Sequence, residues 1–383
     1  MQFASSIRTD RRPNDAVQGI VDDLEEALGT PDLVVLFCTP HHAPSRSGLV
    51  AEVQRAFPDA VVIGSVGAGV LGEGLEHEGV SAISALGGRL PGVELRPFHL
   101  DQALLGTAAD AAKAVSDALG NDTRGLMVLS DPFTFDLGAV LPAIEAAASG
   151  VPVFGAQASG SQSPGPHELF LRDRVHGGGL VGLGFGGPIE VSTIVAHGCR
   201  PVGPPMFVTS CQGNRILELD GKPPTDVLRQ VYEDLTPSDQ LRFQRGQLLG
   251  VQMRDQDAYE QGDFLVRHIL GVPPDGRGVA LGGSVERYAV VQLQVRDAAS
   301  AHEDLIHRLS GVQPPAGALL FTCLGRGRGL YGEPHHDSRC FYEEVAPTPL
   351  AGLFANGEIG SVHGELFVHG YTSVFALFDE PKD

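Results

Sequence analysis

A chain of 383 residues, 42% hydrophobic and 19% charged, has the balance of a soluble globular protein and the length for two domains that each bury a core. A net charge of −20 sets an acidic surface against phosphate backbones and anionic membranes, so nucleic acid is excluded as an expected partner. The five cysteines are odd in number and widely spaced, as reduced buried thiols are; no uncharged apolar run approaches the ~18 residues of a membrane span, and Met1-Gln2-Phe3-Ala4 opens no secretory leader. Together these point to a cytoplasmic protein without membrane insertion.

In chain order, Phe3 to Ile7 alternates like an edge strand, and Asp15 to Leu28 sets Val17, Ile20, Val21, Leu24 and Leu28 on one helical stripe that Gly29 stops. An apolar strand, Leu33 to Cys38, leads through a helix to Ala60–Ile63, the corner Gly64-Ser65-Val66-Gly67-Ala68-Gly69, and a returning strand, Val80 to Leu86. The unit recurs after a helix over Asp101–Leu119: Leu126–Ser130, a helix over Leu137–Ala148, the corner Val153 to Gln157, and Leu180 to Phe185. From Val151 to Thr209 the spacing of strands and turns predicts an antiparallel meander. A break at Gly221-Lys222-Pro223-Pro224 sets a boundary near residue 220 and divides the chain into domains 1–220 and 221–383. Beyond it lie a helix (Thr225–Leu235), strands near Gln247–Met253, Phe264–Leu270, Val279–Leu281 and Tyr288–Val295, and a helix over Ser300–Leu309. The unit then appears a third time, from Ala318–Cys323 through Leu350-Ala351-Gly352 and the corner Asn356 to Gly360 to Ser373–Phe378. The expected fold is mixed α+β, with repeated β-α-β-β modules forming mixed, largely antiparallel sheets flanked by helices.

Chemical motifs are few. Gly67 to Gly72 fits a dinucleotide fingerprint, but the following Glu73-Gly74-Leu75-Glu76-His77-Glu78-Gly79 cannot begin the helix that such a site needs, so no cofactor is expected. His335-His336 and Cys340 read as a solvated polar loop rather than a metal site, and Glu76 and Glu78 as surface charge. Cys323 ends a strand ahead of Gly325-Arg326-Gly327-Arg328, whose charge favours a thiolate. This keeps open a Cys-dependent hydrolase or transferase, but assigns no catalytic residue. The remaining signal is a set of polar side chains and glycines at strand ends: Ser65, Gly67, Gln157, Arg254, Cys323, Arg326, Arg328, Asn356 and Glu358. Such corners let backbone approach a small ligand, and Arg326 or Arg328 opposite Glu358 would hold a zwitterion. Cys38 and Cys323 are expected at corresponding ends of the first strands of their modules.

Several stretches in combination resemble the FIST proteins, named for an F-box and intracellular signal-transduction domain. They are Ala60–Gly72, Gly198-Cys199-Arg200-Pro201-Val202-Gly203 with Gly213-Asn214 to Gly221, Ala318–Gly327, and Leu350-Ala351-Gly352 to Gly360. The resemblance covers nearly the whole chain. It implies paired N- and C-terminal sensory modules that bind small ligands such as amino acids or their derivatives, here standing alone and signalling through a separate partner protein.

Overall fold

The computed structural model describes residues 1–102, 108–165 and 167–381; the start of the helix expected from Asp101 lies outside the described residues, and its remainder is seen as Ala108–Ala118. The chain forms two compact units. One comprises Met1–Val195, Ile306–Val368 and Thr372–Asp383, the other Ala196–Leu305 and His369–Tyr371. Neither boundary falls at residue 220, because the second unit is inserted between the opening strand of the third module and the rest of it. Among the described residues, no helix is long and apolar enough to cross a membrane.

The larger unit is the expected repeat, three times over. In the first module Gln2–Arg8 leads through the helix Pro13–Leu28 to Leu33–Cys38, the helix Arg46–Ala56, Val61–Val66, a hairpin, and Ile83–Arg89. The second runs Glu94–Leu100, Thr123–Ser130, Leu137–Ala147, Val153–Gln157, a hairpin, and Leu180–Gly186. The third runs Glu190–His197, then, after the inserted unit, Gly317–Cys323, the helices Gly327–Tyr331 and His336–Glu344, Leu350–Ala355, a hairpin, and Thr372–Asp379. In each, the two central strands are parallel, as a helical crossover requires, and the return strand is antiparallel to the first. These strands are nearly continuous apolar runs because helices cover one face and the shared core the other.

Each hairpin leaves its own module. Gly69–Gly72 with Leu75–Glu78 completes the third module's sheet, Leu169–Leu171 with Arg174–His176 the first's, and Gly357–Val362 with Glu365–His369 the second's. The strands between Val151 and Thr209 are therefore no meander: apart from the hairpin Leu169–Leu171 with Arg174–His176, successive ones belong to different sheets, because pairing follows the modules rather than chain order. Three six-stranded sheets result, and they enclose one core in which Phe37, Phe154, Phe185, Phe321 and Phe378 meet. Each such buried ring contributes on the order of 2–3 kcal/mol. The corners are stitched in a ring: Ser159 donates its N–H to Val66 O (3.2 Å) and Asn356 to Gln157 O (3.1 Å), while Ala68 N–H reaches Ser159 Oγ (2.8 Å), which in turn donates to Phe354 O.

The smaller unit is a closed six-strand antiparallel barrel, ordered Cys199–Gln212, Arg215–Leu219, Val279–Leu281, Phe264–Gly271, Leu248–Gln252, Val290–Arg296. Val208, Ile216, Leu249, Leu281, Val291 and Leu293 fill it. The strands were legible in the sequence; their closure was not.

Candidate functional site

The three sheets can be aligned on a close approach that glycine alone permits. A Cβ on Gly64 would lie 1.7 Å from Leu36 O, and one on Gly155 or Gly352 would lie 1.8 Å from Val128 O or Leu320 O. Counting from these glycines, Ser65 corresponds to Ala156 and Leu353, and the hairpin residues opposite them are Leu169, Glu358 and Val70. Leu169 and Val70 are buried in the central core, so Glu358 occupies a position that is aliphatic in the other two sheets. The same alignment makes Thr322, not Cys323, the counterpart of Cys38 and Ser130; the third module's first strand runs one residue further before it turns. Cys323 instead matches Thr39 and Asp131. Asp131 caps its turn by accepting Phe133 N–H at 3.0 Å, and Cys323 Sγ accepts Gly325 N–H at 3.4 Å in the same relation. Turn capping therefore gives the thiol a structural role.

Around Glu358 the third module buries a set of charges. Arg326 has no exposed surface, and its Nε and Nη2 donate to Asp337 Oδ2 (2.7 Å) and Oδ1 (3.0 Å), while Nη2 also donates to Tyr331 OH (2.6 Å). Asp337 Oδ2 accepts further from Thr322 Oγ1 (2.9 Å) and Ser373 Oγ (2.7 Å), and its Oδ1 lies 3.1 Å from His336 Nδ1. Burial alone would raise the Asp337 carboxyl; the Arg326 guanidinium beside it and these hydrogen bonds hold it well below the usual carboxylate range. Glu358 Oε2 accepts the N–H (3.2 Å) and hydroxyl (2.8 Å) of Thr372. Burial pushes Glu358 up to about 8, against the Thr372 bonds, a Cys323 thiol contact and the Arg326 charge, which lower it. Two atoms in this cluster are buried with no hydrogen bond of full geometry: Arg326 Nη1 and Glu358 Oε1. Leaving such groups bare costs about 1–3 kcal/mol each.

The network reaches the first module's hairpin. Glu76 Oε1 accepts the N–H (2.9 Å) and hydroxyl (3.2 Å) of Ser338, and Glu78 Oε1 accepts Arg328 N–H at 2.9 Å. Glu76 is 3% exposed, and burial followed by the Asp337 charge raises it to about 7. The reading of Glu76 as surface charge is thus corrected, because the hairpin crosses into the third sheet and is covered there. The His335-His336 loop is only partly solvated, both histidines being half-buried. His335 Nδ1 accepts Glu76 N–H at 2.7 Å, and the His336 ring stacks on Tyr331 with centroids 3.4 Å apart.

Of the residues singled out from the sequence, Cys323, Arg326 and Glu358 come together, but no ion pair joins Arg326 to Glu358: Arg326 turns to Asp337, an acid nearer in sequence. Arg328 is exposed and uses only its backbone here, as does exposed Asn356. Gln157 pairs with Gly357 at the edge of the second sheet. Ser65 is fully buried with its Oγ unbonded, and Gly67 is a packing glycine whose added Cβ would meet Gly69 O and Leu353 Cβ, each at 2.8 Å. Arg254 belongs to the barrel unit, exposed, with Nε on Gln256 Oε1 at 3.1 Å. Asp337, Glu76 and Thr372 were missed. For Asp337 the signal was Arg326 at a strand end, to which the sequence had assigned only Glu358 as an opposite acid.

Residues 32–222 match the FIST N domain and residues 225–361 the FIST C domain. An uncharacterized protein of Mycobacterium tuberculosis is 38% identical over 360 residues, covering 92% of this chain and 93% of that one. One of Mycobacterium bovis is 32% identical over 370 residues, 95% of each chain. Among solved structures, a cyanuric acid hydrolase from A. caulinodans aligns over the full length of both chains with 9% identity and a TM-score of 0.39, a likeness too loose to build on.

Proposed function

The chain belongs to the FIST family, whose domains are associated with sensory signal transduction and small-ligand binding, and from that premise we propose that its third module senses an amino acid or amino-acid derivative. The observation that carries this reading is a pair of fully buried polar atoms without a hydrogen bond of full geometry, Arg326 Nη1 and Glu358 Oε1, in one charge cluster where the Cys323 thiol touches the Glu358 side of the gap. A buried charge is tolerated when paired. A ligand carboxylate on Arg326 and a ligand ammonium on Glu358 would complete both. Arg326 itself lies on the glycine-rich segment Leu324–Gly332, so a ligand drawing on its guanidinium would shift this segment together with the bonds to Asp337 and Tyr331. Its displacement would pull on Glu78 through Arg328 N–H, which passes the event to the first module's hairpin and from there to a separate signalling protein. As sequence modules the proposed units remain 1–220 and 221–383, distinct from the spatial division, and mostly buried cysteines outside any disulfide suit a cytoplasmic setting.

Because Glu358 is held neutral up to about 8, pairing it with an ammonium must release a proton near neutral pH. Isothermal titration of the full chain with a panel of amino acids at pH 7, in buffers of different ionisation enthalpy, should show binding with net proton release and tighter binding at pH 9. Glu358→Gln should weaken it roughly tenfold or more. Absence of binding across the panel, or unchanged affinity in the variant, overturns the reading. Turnover of an ester or amide that Cys323→Ser abolishes would instead establish the hydrolase.

A further inference from the structure

The barrel unit carries a cleft of its own, about 480 Å³, lined by Pro205, Phe207, Asp255, Asp257, Tyr259 and Tyr288 among others. Two of its aromatics are left in water at some cost: Phe207 is 53% and Tyr288 65% exposed. Tyr288 is also held at φ +74°, a left-handed conformation that an aromatic residue adopts only when its surroundings impose it. Its N–H is tied to Val208 O (2.7 Å), and Arg287, anchored by Nε on Thr209 O (3.0 Å), stacks on its ring at 4.7 Å. Tyr259 is fixed by its hydroxyl on Gln252 Oε1 (2.9 Å), and that oxygen also accepts Val290 N–H (2.7 Å). Tyr259 is thus held by its hydroxyl, and Tyr288 by its backbone and by Arg287 on its ring. Asp255 receives Gln252 Nε2, while neither Asp255 nor Asp257 is in an ion pair among the described residues. Aromatic faces beside uncompensated carboxylates recognise a cation whose charge is spread over apolar substituents, since ring quadrupole and acid attract the same guest and the rings cover its carbon surface.

We infer that this cleft binds a small organic cation of the alkylammonium class, at a site separate from the buried cluster of the third module. Arg254 and Arg287 are not among the lining residues; Arg287 covers one face of Tyr288, which leaves the guest the ring surfaces beside Asp255 and Asp257. The probe is choline chloride, compared at low ionic strength with its uncharged carbon isostere 3,3-dimethylbutan-1-ol by isothermal titration of the full chain. Choline should bind with the isostere about tenfold weaker or worse, and Asp257→Asn and Tyr288→Leu should each weaken choline by roughly threefold or more without altering the amino-acid panel. Asp257 is exposed, so its variant folds even if the Tyr288 variant does not. Equal binding of probe and isostere, choline binding untouched by Asp257→Asn, or no choline binding up to about 50 mM would overturn the assignment.

Discussion

The hairpins of the first and second modules and that of the third use the same backbone pairing, yet where the first two place Val70 and Leu169 in the central core the third places Glu358. The fold thus supplies its own control. A carboxylate at this position is not required by sheet, turn or packing, since aliphatic side chains fill it twice; its burial is a local cost in one copy. The crossovers differ in the same sense. The first module pairs Arg46 with Glu168, whose side chain is 25% exposed, whereas the third sinks both Arg326 and Asp337 almost completely. The second module also buries a polar pair, Asp131 and His167, but only the third sets a buried carboxylate at the hairpin position that is aliphatic elsewhere, which is why the proposed site is placed there.

The largest effect should come from separating the buried pair. Arg326→Leu leaves Asp337 as an uncompensated charge and should destabilise by about 3–5 kcal/mol in urea unfolding, with much of the loss recovered when Asp337→Leu is added. Arg46→Leu, whose partner keeps contact with water, should cost clearly less; equal losses would break the distinction between the crossovers. The next effect is pH. In the unfolded chain Glu76 and Glu358 ionise near ~4.3, while in the folded chain they do so at about 7 and about 8. Within that window the folded protein holds protons that the unfolded chain has released, so the stability these groups contribute is full below the unfolded value and drains away as pH rises to about 8. Asp337 acts oppositely: its contribution is present above its unfolded value and is lost as pH falls. The contribution of these groups should be greatest near pH ~4, between the loss of Asp337 below and of Glu76 and Glu358 above, and should fall by several kcal/mol by pH ~9, with Glu358→Gln removing the upper part of the decline.

A smaller change restores the symmetry outright. Glu358→Leu should raise stability at pH 7 by about 1–2 kcal/mol while abolishing amino-acid binding, the usual opposition between stability and a strained site. A destabilised variant would show that Glu358 is structural after all. Least of all, Cys323→Thr installs the residue that the first module carries at this position, Thr39, and should shift the midpoint of thermal unfolding by no more than the equivalent of about 1 kcal/mol.

The strands and corners were legible because a sheet covered on both faces writes itself as unbroken apolar runs such as Leu33–Cys38, ended by glycines that backbone contact demands. The destination of each hairpin was not, since Gly69–Gly72 carries no mark that it pairs with a strand near residue 350. For the same reason Glu76 passed as a surface acid. Asp337 was hidden inside a run of polar residues, Glu333 to His336, whose composition suggests water. What places it in the interior is Arg326, eleven positions earlier, and the non-local packing of Thr322 and Ser373.

The exchange of hairpins also bears on how the polypeptide is made. The strands Gly69–Gly72 and Leu75–Glu78 leave the ribosome early, but the edge that receives them, Leu350–Ala355, is translated near the end of the chain. At ~5–20 residues per second the nascent chain therefore carries an unmated hairpin for on the order of tens of seconds. Exposed strand edges invite pairing with other chains, so the exchange of hairpins that joins the three modules leaves the newborn chain open to such pairing until the sheet around Leu350–Ala355 is complete.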